Sequence, residues 1–324
     1  MRGTVNANTM SDQKKLNKGR RLFEQGKYAE ARKVFESITS KDSSIRLNVL
    51  LAMLGVLDHV SENAKLLAVV NEGIELTTKT GNESVRAFLL GKKCLFLMSE
   101  LSSVIYRQTN LMLSSRVFGW IEFSLERDKQ EYEALEQQRK KLEREIEATL
   151  SAVIESAERG NNHEFRGHQF SSIGDVYSSK FLADKLAFQE GGKFKSKIAN
   201  LNFVRRWNLD RYLYDRAARR KIDESRDKCI RYFERSIKEF ELAGKKSEQA
   251  HTIYNLAAKT LLFNNFRRTK QFLSEARAMA ESISEKRLLE KIEYLEKRVV
   301  GENEMRDYVN EMGLDMPEGH HPSL

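Results

Sequence analysis

Proline is nearly missing. The chain has 324 residues and two prolines, Pro317 and Pro322, so everything before Pro317 lacks the strongest helix breaker. Cysteine is as scarce. Cys94 and Cys229 stand alone, both in apolar stretches, which excludes a disulfide framework and suits two reduced thiols in a reducing, cytoplasmic setting. No apolar run approaches about 18 residues, so no membrane span is expected, and residues 1–10 carry no apolar signal core. Sustained alternation of β-branched residues is missing too, which argues against strands. No nucleophile elbow and no cluster at metal-ligand spacing is visible. The expectation is a non-enzyme with no cofactor and no metal.

What remains is rich in Leu, Ala, Glu, Lys and Arg, the composition of a mostly helical chain. Leu16, Leu22 and Phe23 give one apolar helical face, Gly26 a turn, and Tyr28, Ala31, Val34, Phe35 and Ile38 a second face. Small residues at Gly19 and Ala31 let two helices approach closely, while Tyr28 and Phe35 fill the space between units. Gly19, Gly26, Tyr28, Glu30, Ala31 and Phe35, at these spacings, resemble a tetratricopeptide repeat. The resemblance implies an all-α, tetratricopeptide-like superhelix of stacked helical hairpins, with partners held on a concave surface. It covers 12–45 well, 163–180 and 222–283 in part, and 46–158 weakly. The proline that often ends such repeats is absent throughout.

The expected layout is a flexible N-terminus over 1–11, tetratricopeptide-like hairpins over 12–82, and extended helical hairpins over 83–162 and 163–243. A C-terminal hairpin with capping helices follows over 244–312, then a disordered tail over 313–324. Gly81 serves as a left-handed cap and Asn264-Asn265 as a turn. The fourth unit carries Phe170, Ile173, Gly174 and Tyr177, whose second-helix partners are Cys229, Phe233 and Ser236. About nine residues separate the corresponding tyrosine and small residue in the family; Tyr177 and Cys229 are 52 apart, and Cys94 and Leu150 are 56 apart. The two central hairpins are therefore lengthened, each with a first helix of medium length and a long second one. Leu125, Tyr132, Ile146 and Val153, with Leu135 and Leu142, recur on a heptad spacing, interrupted by Arg139 and Asp128, that suggests helix packing or a homodimer.

Charge is concentrated. Residues 193–231 hold thirteen basic and five acidic residues, a net +8 of the chain's formal +9. Arg205, Arg206, Arg211, Arg216, Arg219 and Arg220 lie among Phe203, Trp207, Tyr212 and Tyr214, a mixture that suits phosphate contacts and base stacking. The plainer reading buries Phe203, Trp207 and Tyr214 as a stripe and leaves the arginines on a solvated face. Some arginines would then meet residues 122–136, whose net charge is −4. An anionic membrane surface is a weaker reading of the same run.

Other motifs fall away. His163-Glu-Phe-Arg-Gly-His168 spaces its histidines five apart, about 140° around a helix, where a zinc protease needs four. His59 and His251 read as structural histidines. Gly191-Gly192-Lys193 lacks the first glycine of a phosphate loop and reads as a hairpin turn. Where some family members hold a lysine and asparagine clamp for acidic tails, this chain has Leu16 and Arg20. The expected function is a scaffold or adaptor binding a protein or peptide. The alternatives are nucleic-acid association through 193–231 and, third, a ligand-sensing regulator.

Overall fold

Apolar residues recurring every three or four positions close most of this chain into helix. The computed structural model describes the backbone of residues 2–59, 63–114, 126–198 and 204–311, with side chains over 11–57, 65–111, 130–185 and 216–301. Among the described residues the fold is all-α, with eleven helices and no strand. In order they are α1 (Arg2–Glu24), α2 (Tyr28–Glu36), α3 (Ser43–His59), α4 (Asn63–Thr80), α5 (Glu83–Ser114), α6 (Glu126–Arg159), α7 (His163–Ile198), α8 (Val204–Leu242), α9 (Lys246–Leu262), α10 (Phe266–Ser282) and α11 (Lys286–Glu311). Contacts divide the chain into two compact units, 1–159 with 179–219 and 160–178 with 220–324.

In the first unit, each helix from α1 to α5 packs on the next. Leu16, Ala31, Phe35 and Ile38 are buried together. Gly19 permits that packing, because a Cβ there would land inside the Phe35 ring. Gly26, at φ +75°, closes α1. The Lys27 amide donates to the Leu22 carbonyl and the Gly26 amide to that of Phe23, both at 2.9 Å, which satisfies two end carbonyls. Gly81, at φ +69°, ends α4 in the same left-handed way. Leu50, Leu57, Val70 and Leu89 carry the core onward through α3, α4 and α5.

The heptad seam of α6 is used within the chain. Leu135, Leu142, Ile146 and Val153 are buried, and α5 is the helix against which α6 packs. Cys94 on α5 faces the Ile146 carbonyl, one turn before the expected partner Leu150, which is also buried.

In the second unit, the start of α7 and the end of α8 pair antiparallel. A Cβ at Gly174 would lie 2.6 Å from the Phe233 ring, and one at Gly167 2.8 Å from the Phe240 ring. Seven residues back along α7 thus match seven forward along α8. The Ser236 hydroxyl donates to the Gly167 carbonyl at 2.7 Å. Next, α9, α10 and α11 pack through Ile253, Ala257, Leu273, Ala276, Leu288 and Ile292. Their turns repeat at even intervals: Gly244 (φ +68°), Asn264 (φ +57°) and Ser284 (φ +57°). In each case the next residue's amide donates to a carbonyl five residues back, at 2.9 Å.

A left-handed position penalises side chains with a Cβ. Gly244 has no heavy atom within 4 Å of an added Cβ, so only the backbone objects. Gly244→Ala is expected to cost about 1 kcal/mol, and Ser284→Gly to gain up to about 1 kcal/mol. Urea unfolding midpoints measure both.

Three boundaries differ from the sequence expectation. Helix α7 runs through Gly191 and Gly192 to Ile198, so the glycine pair is not a turn. The first helices of the long hairpins are themselves long, 32 residues for α5 and 36 for α7. The capping region is one helix, α11, which passes through Gly301. The backbone over Arg2–Glu24 is helical. The tail over 313–324 lies outside the described residues.

Candidate functional site

The basic run falls on the end of α7 and along α8. The backbone at Arg205, Arg206 and Arg211 is helical, and their side chains lie outside the described residues, as do those of Phe203, Trp207, Tyr212 and Tyr214. Arg216, Arg219 and Arg220 are exposed. Further along α8 the charges neutralise one another. Arg226 pairs with Asp223 at 2.9 Å and Asp227 at 3.1 Å, and Lys228 with Glu224 at 2.6 Å. That hydrogen bond to Glu224 holds the Lys228 ammonium above the ordinary lysine value.

Two acids of the expected acidic counterpart are engaged by α5, while Glu122, Glu126 and Asp128 lie outside the described side chains. Glu131 on α6 pairs with Arg107 at 3.0 Å, and Glu136 accepts from Gln108 at 3.0 Å. The bond from Gln108 is the main reason the Glu136 carboxyl sits below its usual range. These two acids are therefore bound to the neighbouring helix of their own hairpin.

On the second unit, the aromatic residues that carry the repeat pattern form a ladder. Tyr177 stacks on Tyr232 with centroids 5.6 Å apart and planes at 4°, and Phe170 stacks on the same ring at 6.0 Å. The Arg235 guanidinium lies 4.0 Å from the Phe170 centroid, and the Lys228 ammonium 5.5 Å from that of Tyr177. Cations held over ring faces are attracted by the ring quadrupole. Here that interaction binds α8 to α7.

The two histidines of the 163–168 motif go separate ways. His163 Nδ1 lies 2.7 Å from Glu239 Oε2, and His168 packs edge-on against Phe240 at 4.9 Å. Arg166 reaches the second Glu239 oxygen at 2.8 Å. Glu239 is 10 % exposed at its side chain, and those two partners meet both of its oxygens. Glu239→Ala is expected to lower stability by about 1–3 kcal/mol, because Arg166 and His163 lose their shared acceptor; urea titration measures it. His251 Nε2 lies 2.6 Å from Glu285 Oε1, a structural contact. His59 lies outside the described side chains. Among the described residues, no three His, Cys, Asp or Glu side chains gather as a metal site, and no helix is long and apolar enough to cross a membrane.

One surface escapes the sequence reading. Phe88 and Tyr106 are 42 % and 59 % exposed on α5. Eighteen residues make five turns, so both lie on one face of that helix. Exposed Ser99, Ser103 and Asn110 share it, and Lys92 places its ammonium 6.0 Å from the Phe88 centroid. The face offers two aromatic anchors with hydroxyls and an amide between and beside them. The signal was the wheel position of the two aromatics, hidden because α5 is apolar on other faces as well. No protein-family model matches this chain, and no curated protein matches it closely enough to stand as a relative.

Proposed function

We propose that the protein is a non-catalytic, tetratricopeptide-like scaffold or adaptor whose stacked hairpins bind a protein or peptide partner. The α5 face carries this reading. Exposed aromatic rings flanked by hydrogen-bonding groups are what binding hot spots are built from, and Phe88 and Tyr106 are large side chains left in solvent by an otherwise well-buried helix. The close glycine-on-aromatic packing of Gly19 on Phe35 and Gly174 on Phe233 supports the repeat build. Buried Cys94 and Cys229, both unpaired, support a reducing compartment such as the cytoplasm.

A photo-crosslinking residue placed at position 88 or 106 tests this in cells. Position 147, exposed on α6, is the control. Discrete adducts with one protein from 88 and 106, absent from 147 and persisting in high salt, are the expected result. Adducts from all three positions alike, or from none, overturn the reading.

A second reading is nucleic-acid association through 193–231, supported by the exposure of Arg216, Arg219 and Arg220. It requires binding that falls steeply with salt and disappears when those three arginines become glutamates.

A further inference from the structure

We infer that the outward face of α1 is a docking surface for the phosphate backbone of nucleic acid, distinct from the basic run on α8 and from the α5 face. The helix separates its residues cleanly. Leu16 and Gly19 face inward and are buried, and Phe23 joins the same core. At about 100° per residue, Lys14, Lys18 and Arg21 fall on the opposite face with Asn17 and Gln25, and all five are exposed. None of the three cations makes an ion pair among the described residues. Of the hairpin's acids, Glu36 pairs with Arg32 at 2.8 Å, Asp12 falls on the inward side of the α1 wheel and Glu30 is on α2; beyond the hairpin, Asp42 caps α3 through the Ser44 and Ile45 amides at 2.8 and 3.1 Å. Glu24 borders the face at its C-terminal edge.

The composition of the face selects its occupant. Among the described side chains it carries no apolar residue, and each cation near an anionic membrane contributes only about 1 kcal/mol. Asn17 accepts from Gln13 through its Oδ1 at 3.2 Å, which leaves its amide hydrogens to donate outward. Amide donors set among lysine and arginine are the usual complement to phosphate and sugar oxygens. Lys14 to Arg21 advances about 10 Å along the helix. A duplex presents a charge about every 1.7 Å of its axis, so all three cations can meet phosphates of one stretch.

The test is fluorescence anisotropy of the full chain with a labelled DNA duplex across a salt series. Wild-type affinity is expected to fall log-linearly with salt. Lys14→Gln, Lys18→Gln and Arg21→Gln, introduced one after another, should each reduce the slope by about 0.9. A graded change of that kind is not produced by misfolding, and circular dichroism checks each variant. Exchanging the cations (Lys14→Arg, Lys18→Arg, Arg21→Lys) should preserve binding. An unchanged slope in the triple variant overturns the inference, as does a wild type that does not bind the duplex. Complete loss of binding in the Arg216, Arg219 and Arg220 charge reversal, with no effect at α1, also overturns it and leaves the α8 reading standing. Equal binding of polyglutamate or of phosphatidylserine vesicles overturns it in favour of a generic anion surface.

Discussion

Phe233→Ala is expected to destabilise the second unit by about 3–5 kcal/mol, the range for truncating a fully buried phenylalanine. Phe233 is 0 % exposed, and its ring rests on the bare backbone of Gly174. Glycine has no side chain to move into the space, so the cavity stays. The converse change overfills the contact. Gly174→Ala puts a methyl group 2.6 Å from a ring held on all sides, which costs about 1–3 kcal/mol, while the better helix propensity of alanine returns about 1 kcal/mol. Combining Gly174→Ala with Phe233→Leu should cost less than the two single changes summed, because the smaller side chain makes room for the methyl group. Urea unfolding of wild type, the three single variants and the double variant provides the comparison. A Phe233→Ala effect below about 1 kcal/mol, or strict additivity in the cycle, would remove Gly174 and Phe233 from contact.

Native protein at pH 8 is expected to leave both thiols unmodified for as long as urea-unfolded chain takes to react completely. Burial pushes the Cys94 thiol up to about 12, against a small opposing effect of Lys93. Burial likewise pushes Cys229 up to about 12, with Lys259 opposing and Asp175 adding to the rise. The thiolate is the reactive form, so a rise from about 9 to about 12 cuts its population roughly 1000-fold at pH 8. Titration with a chromogenic disulfide, with and without urea, measures it, and prompt release of two equivalents from folded protein would contradict it. The same groups set an alkaline limit. Their folded values are raised, so the stability they contribute is complete below the unfolded value near 9 and is lost as pH rises through about 12.

Legibility followed the distance between partners in the sequence and the uniqueness of the residue code. Gly19, Ala31 and Phe35 are neighbours across one turn, and their small-on-aromatic contact was visible directly. Gly174 and Phe233 are far apart, yet the same code identified them, because close helix packing requires a small residue wherever a ring intrudes. Gly191-Gly192 misled for a physical reason. Glycine costs a helix interior about 1 kcal/mol without forbidding it, so α7 continues through the pair. Ser284 was invisible as a turn, since serine rarely takes a left-handed conformation and the backbone places it there nonetheless. At the site, the basic run was obvious, but sequence could not show that Arg226 and Lys228 spend their charge on their own helix. It also could not show that Arg107 and Gln108 reach Glu131 and Glu136 first. Phe88 and Tyr106 needed burial to tell them from the apolar residues around them.

The antiparallel contact of Gly167 with Phe240 has a kinetic meaning. Gly19 finds Phe35 after a loop of 16 residues, whereas Gly167 finds Phe240 only after 73. Loop closure entropy grows with the logarithm of length, which adds about 1.4 kcal/mol to the barrier for the longer search and slows it roughly tenfold. The first hairpin and the α9–α11 cluster, whose contacts lie between consecutive helices, are free to form early. The long hairpin closes more slowly than either. A chain emerging from the ribosome must therefore hold the α7 glycines exposed until α8 has been made, and the interval before Phe233 and Phe240 arrive is when this protein is most open to capture by chaperones or proteases.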